Sequence, residues 1–208
     1  MHAGLSARLR DATREAHERL EAAMPDLASA PTLCELRAVL ERFHGFHLVW
    51  EGEVAAHPGL APLVGERSRL PHLRADLIAL GTTEEELGRL PACGPARGLA
   101  AEPGAALGSL YVMEGSTLGG QIISRALAGA DWAPAGGLRY FNPYGRRTGA
   151  MWRALQAALD ATPEAGGERV VDGALRTFAV LEAWMAGAGA PEVSAGPTPG
   201  PPASGSAR

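Results

Sequence analysis

An all-α fold is predicted for this chain of 208 residues by three observations. Apolar residues return every three or four positions through several long segments, and Pro and Gly punctuate those segments at their ends. Nowhere do β-branched residues alternate with polar ones over a strand-length run. The length suits one well-buried domain and is short for two. With 46% hydrophobic and 20% charged residues, the composition is that of an ordinary soluble globular domain.

The elements follow in order. Leu5, Leu9, Ala12, Ala16, Leu20 and Ala23 lie at helical spacing, giving a first helix over residues 4–24 that stops before Pro25. Pro31 is expected to open a second helix, carried by Leu33, Leu36, Leu40, Phe43, Phe46, Trp50 and Val54 as far as His57-Pro58. Residues 58–68 read as loop, and Leu70 to Leu80 as a short helix. Thr83 followed by three glutamates has the form of a helix cap with acids in the first turn. Residues 91–103 form a Pro/Gly-rich connection before a long helix from about Glu102 to Ala128. After a loop containing Pro134, Gly136, Gly137 and Pro143, two more helices are expected, near 149–161 and 167–185. The domain therefore spans residues 1–188. Residues 189–208, rich in Pro, Gly, Ser and Ala, cannot bury enough apolar surface to offset their ordering entropy and read as a disordered tail.

Charge and cysteine usage narrow the function classes. A formal net charge of −4 carries no nucleic-acid signature. All 19 basic residues are Arg, so an anionic ligand group would be held by guanidinium, backbone N–H or hydroxyl groups. Cys34 and Cys93 are the only cysteines and form no CxxC, which fits a reducing cytoplasm. The Met1-His-Ala-Gly-Leu-Ser start lacks a signal-peptide pattern, and no stretch of about 20 apolar residues spans a membrane. A cytoplasmic protein is expected, with neither nucleic acid nor membrane as partner.

The most informative segment is Leu110-Tyr-Val-Met-Glu-Gly-Ser-Thr-Leu-Gly-Gly-Gln-Ile-Ile123, a helix with Gly115, Gly119 and Gly120 in its interior. Each interior Gly costs about 1 kcal/mol relative to Ala, so the three cost about 3 kcal/mol against a typical stability of about 5–15 kcal/mol. Gly115 and Gly119 share a face and expose bare backbone there. Two readings follow: a flat or bulky ligand lies on that face, or another helix packs closely against it. Tyr111, one turn before Gly115, borders the same face.

The first helix carries a second unusual stripe, Arg10, Thr13, Arg14, His17 and Glu21, flanking its apolar face. Glu21 can reach the His17 imidazole from the next turn. Arg10 lies two turns before His17, a rise of about 10 Å. That spacing suits a ligand with a metal at its centre and acid groups at its rim. It also suits a half-exposed histidine within a solvated salt-bridge stripe. The other histidines are weaker candidates: His2 is terminal, His57 and His72 border prolines, and His44 and His47 sit among Phe43 and Phe46 as core or boundary residues. Glu41-x-x-His44 matches one element of di-iron bundles, but the second such element is missing. No GxSxG, HExxH or Walker-type motif is present. Ser116 and Ser124 are isolated hydroxyls. The loop Arg139-Tyr-Phe-Asn-Pro-Tyr144, with Arg146, Arg147, Trp152 and Arg153 beyond it, gathers aromatics and cations suited to an aromatic dianion, or to docking of the loop itself.

Taken together, Leu9-Arg-Asp-Ala-Thr-Arg-Glu-Ala-His-Glu-Arg-Leu20, Tyr111-Val-Met-Glu-Gly-Ser-Thr-Leu-Gly-Gly-Gln121 and Tyr140-Phe-Asn-Pro-Tyr-Gly145 with Trp152 closely resemble the bacterial haem oxygenases. The resemblance is greatest to the biliverdin-forming enzymes that serve bacteriophytochromes, and it runs in order over about residues 5–185. It implies an all-α helical bundle with haem b, both substrate and cofactor, between a proximal first helix and a kinked, Gly-rich distal helix. It implies His17 as axial iron ligand with Glu21 as its neighbour, and Gly115, Gly119 and Gly120 as distal glycines close to the porphyrin. Arg10 matches the position that meets a haem propionate. Tyr111 is placed at the propionate edge, Arg153 as a further cation, and Phe178 on the apolar side of the pocket. Ser116 stands where mammalian-type enzymes carry a distal Asp, which leaves the proton-delivery groups unspecified. The implied reaction opens haem to biliverdin, carbon monoxide and ferrous iron with dioxygen. Its electrons come from an external reductase or ferredoxin, since the chain has no flavin or iron–sulfur motif. A bacteriophytochrome is the implied recipient of the biliverdin. A haem-binding or haem-delivery protein without turnover would share His17 and the glycine surface.

Overall fold

The computed structural model describes residues 4–29, 31–134 and 137–187. The 189–208 tail expected from composition lies outside the described residues. Among the described residues the secondary structure is helical, with no strand. The helices are α1 (Leu5–Ala22), α2 (Leu33–Ala55), α3 (Ala61–Val64), α4 (Leu70–Ala79), α5 (Glu84–Arg89), α6 (Pro103–Leu127), α7 (Thr148–Asp160) and α8 (Glu164–Met185).

Local chemistry explains several boundaries. Pro31 does not open α2. Thr32 does, as the N-cap of a capping box: its hydroxyl accepts from the Glu35 N–H at 3.2 Å, and the Glu35 carboxylate accepts from the Thr32 N–H at 2.8 Å. Thr83 and Glu86 repeat the arrangement at α5, with the same two distances. The stretch expected as loop after residue 57 instead holds a 3₁₀ turn, Pro58–Leu60, followed by the single turn α3. A proline sits in the first turn of each and pre-sets helical φ where no N–H donor is needed. The last helix begins at Glu164, earlier than its apolar pattern suggests, because Gly166 and Gly167 are helical. Gly167 is buried where a Cβ would meet Leu5 at an ordinary 3.5 Å.

Two long helices carry the architecture. Helix α6 packs along α8, and the crossing is close enough to require glycine: a Cβ on Gly108 would overlap the Val170 carbonyl oxygen, and one on Gly173 would lie 2.5 Å from the Ala105 Cα. Helix α1 runs along α8, where Arg19 pairs with Glu182 at 3.2 Å, and against α7, where the Ser6 N–H donates to Asp160 at 2.9 Å. Helix α2 packs against α4 and reaches α6 through Trp50, whose indole donates to the Ser109 hydroxyl at 2.9 Å. Leu9, Leu36, Phe46, Leu110, Leu155 and Trp184 are representative of the core these helices enclose. Helical structure continues through Gly115, Gly119 and Gly120 of α6 without a break. Among the described residues no helix is long and apolar enough to cross a membrane.

Candidate active site

Leu9, Ala16 and Leu20 bury one stripe of α1. The adjoining stripe, Arg10, Thr13, Arg14, His17 and Glu21, is thereby turned towards a cavity of about 800 Å³ that it lines. Helix α6 supplies the opposite wall through Tyr111, Gly115, Ser116, Gly119 and Gly120. Phe43 of α2, Tyr140 and Phe141 of the loop before α7, Trp152 of α7 and Phe178 of α8 close the sides. The size and the mainly apolar lining with a few polar groups are those of a small-molecule site.

On the α1 wall the His17 side chain is 54% exposed, with Nδ1 3.6 Å from a Glu21 carboxylate oxygen. Its ring stands edge-on to Phe178, with centroids 5.9 Å apart. Arg10 and Arg14 flank Asp11 at 3.6 and 3.1 Å near the cavity mouth, and both guanidinium groups remain largely in water. Tyr111, facing them from α6, is buried, and that burial raises its phenol pKa despite the Thr13 hydroxyl beside it. Its ring packs on Trp152 at 5.6 Å.

Gly115, Gly119 and Gly120 of α6 stand in three different environments. A Cβ on Gly119 would meet no atom within 4 Å, so this residue presents bare backbone to the cavity. One on Gly115 would touch the Trp152 ring at 3.8 Å. One on Gly120 would overlap the Phe141 carbonyl oxygen, so the loop before α7 occupies that side of the helix.

Behind Ser116 lies a buried ionic cluster. Glu114 receives Arg67 on Oε2; its Oε1 accepts from Arg69 at 3.0 Å and from the Tyr144 hydroxyl at 2.7 Å. Arg69 also donates to the Met113 carbonyl at 2.7 Å and to the Ser116 hydroxyl at 3.3 Å, and it lines the cavity. Burial opposes the Arg69 charge, but Glu114, Tyr140 and Tyr144 together hold its pKa above the ordinary value. The loop bearing it is pinned by Glu51, which accepts from the Arg69 and Leu70 N–H groups at 2.7 and 3.1 Å and pairs with His47 at 2.8 Å.

The heme oxygenase family model matches residues 3–187. The chain belongs to the haem oxygenase family. A heme oxygenase of Xanthomonas campestris pv. campestris is 33% identical over 154 residues, 71% of this chain and 87% of its own length. Heme oxygenase from Leptospira interrogans has the same fold, with a TM-score of 0.71 at 18% identity over 89% of this chain and 100% of that one. Heme oxygenase-1 from the cyanobacterium Synechocystis, solved in complex with heme, gives 0.70 at 20% identity, covering 88% of this chain and 91% of that one. As a family member, the protein is an enzyme that degrades haem oxidatively.

Of the residues marked from sequence in this haem oxygenase, Arg10, His17, Glu21, Tyr111, Gly115, Ser116, Gly119, Gly120 and Phe178 all line the cavity. Arg153 does not: it is exposed on α7, and its neighbours Trp152 and Gln156 reach the cavity instead. Its position follows from the helical register, which turns residue 153 away from the face shared by 152 and 156. Arg69 and Phe43 also line the cavity but were not singled out by sequence. The available signal was Glu114, a carboxylate within an apolar helix, which when buried needs a cationic partner. Nothing in the sequence named Arg67 and Arg69 as that partner. His47 is a fully buried core residue held by Glu51 and, at 3.4 Å, by the Tyr140 hydroxyl. Glu41 pairs with Arg37 on the surface of α2.

Proposed function

We propose that haem lies between α1 and α6, with His17 as axial iron ligand, and is opened there to biliverdin, carbon monoxide and ferrous iron. The observation that carries this reading is the placement of an imidazole and bare glycine backbone on opposite walls of one cavity. Bound haem supplies both the iron that engages dioxygen and the ring that is oxidised. The chain's own residues bind, orient and exclude. Glu21 stands 3.6 Å from His17 Nδ1, longer than a hydrogen bond, and its carboxylate on that side would leave Nε2 for the iron. Arg10 and Arg14 at the mouth suit the two propionates, and Tyr111 borders them. Gly119, where an added Cβ would meet no atom within 4 Å, would let haem and a small ligand approach the α6 backbone.

The electrons come from a separate reductase or ferredoxin, and the released biliverdin suits a bacteriophytochrome as recipient. The cysteine usage and the lack of a membrane-spanning helix among the described residues support a cytoplasmic setting.

An absorption time course of the protein with one equivalent of haemin, a reductant, dioxygen and catalase tests the reaction. Loss of the Soret band with growth of a broad red band is expected. His17→Ala should abolish that change while retaining some haem binding. Wild-type turnover in this variant would remove His17 from the axial role.

A further inference from the structure

The carboxylates lining the cavity, Glu18 and Glu21, both stand on α1. The opposite wall carries a cation. In the cluster behind Ser116, two guanidinium groups face one carboxylate, and both oxygens of Glu114 are engaged by Arg67, Arg69 and Tyr144. Glu51, the other nearby acid, directs its oxygens to backbone N–H groups, to His47 and to the Ser68 hydroxyl. Two guanidinium groups are thus set against two carboxylates, and of these Glu114 is the one that touches a guanidinium. Arg67 is turned away from the cavity towards the Met151 carbonyl at 3.0 Å, whereas Arg69 lines the cavity and reaches Ser116. A buried ion pair with one Arg would have neutralised Glu114. The second Arg keeps a guanidinium buried at the α6 wall, where a charge in low dielectric needs compensation, and Glu51 lies beside its backbone.

We propose that Arg69, together with the Ser116 hydroxyl, forms an anion-binding group on the α6 side of the cavity, stabilising negative charge on a ligand held over the haem face opposite His17. This rests on the haem reading of the cavity. It assigns that task to a loop residue preceding α4. Charge-assisted hydrogen bonds of this kind are about twice as strong as neutral ones, and their value rises where water is excluded.

Fluoride binding to the ferric haem complex, followed by absorption at one fixed pH, tests the assignment without turnover. Arg69→Gln should weaken fluoride binding about tenfold or more, the loss expected for a hydrogen bond to a charged group. Tyr144→Phe removes a contact of the Glu114 oxygen that Arg69 also engages, at a residue that does not line the cavity, and should leave fluoride affinity within about twofold of wild type. If Arg69→Gln does not fold, Arg69→Lys takes its place. Its single ammonium, engaged by Glu114, cannot also span to Ser116, and the loss should again be about tenfold. Unchanged fluoride affinity in the folded Arg69 variant, with an unchanged Soret titration, would overturn the proposal. An equal loss in Tyr144→Phe would also overturn it, by showing that cluster integrity alone is being read. A wild-type protein that forms no Soret complex would instead sink the haem reading itself.

Discussion

A methyl group placed on Gly120 would overlap the carbonyl oxygen of Phe141, whereas one placed on Gly119 would meet no atom within 4 Å. Substitutions at these adjacent positions should therefore fail in different assays. Gly120→Ala forces backbone apart and should cost about 1–3 kcal/mol of stability, as overpacking does, read as a lower denaturation midpoint. Gly119→Leu should leave that midpoint close to wild type but weaken haem binding in a Soret titration, because its side chain enters the cavity. Normal haem affinity in Gly119→Leu would contradict the glycine-face reading. Of the two explanations that the sequence left open for these glycines, close packing holds for Gly120, and Gly119 is the member whose surroundings leave room for a ligand. A local sequence cannot separate them, because the Phe141 carbonyl is supplied by a loop that only the tertiary fold brings near. His17 was legible for the opposite reason: its neighbours on one helical face, Arg10, Arg14 and Glu21, lie within two turns of the same element.

Helix boundaries show the same division between near and distant causes. The caps at Thr32 and Thr83 are closed by glutamates three residues on, and Thr83 was readable as a cap from four letters. Thr83→Ala should cost about 1 kcal/mol, measurable as a shift in chemical denaturation, and a neutral result would show that α5 is held by packing alone. Helix α3, one turn long, has too few residues to display a period, so it could not be seen in advance. The α6–α8 crossing was also invisible, since Gly108 and Gly173 acquire meaning only when the other helix lies across them. Gly173→Ala should destabilise more than any alanine substitution on the exposed face of α8, because its methyl would press on Ala105 backbone.

At the scale of the whole molecule, buried titratable groups set the response to acid. Burial pushes the His47 pKa below its ordinary value, with Glu51 opposing only in part, and burial lowers His44 likewise. The unfolded chain takes up these protons near pH 6.5, and the folded chain does so only at lower pH. The associated stability is present above about pH 6.5 and is lost as pH falls through the folded values. Glu51, whose own pKa is lowered by His47, Ser68 and Arg69 N–H despite burial, adds a further loss in the carboxylate range. Asp76 acts in the other direction: burial raises its pKa, so its unfavourable charge is relieved on acidification. The net expectation is a melting temperature that falls from pH 7 to pH 5, and a smaller fall in His47→Asn; equal falls in both proteins would sink this account. One further consequence concerns the order of synthesis. The imidazole-bearing helix, Leu5–Ala22, rests against Glu164–Met185, the last helix of the described chain. A ribosome therefore releases one wall of the cavity long before the helix that braces it exists. Nascent chains arrested before residue 164 should retain no haem, and acquisition of substrate becomes an event that follows translation.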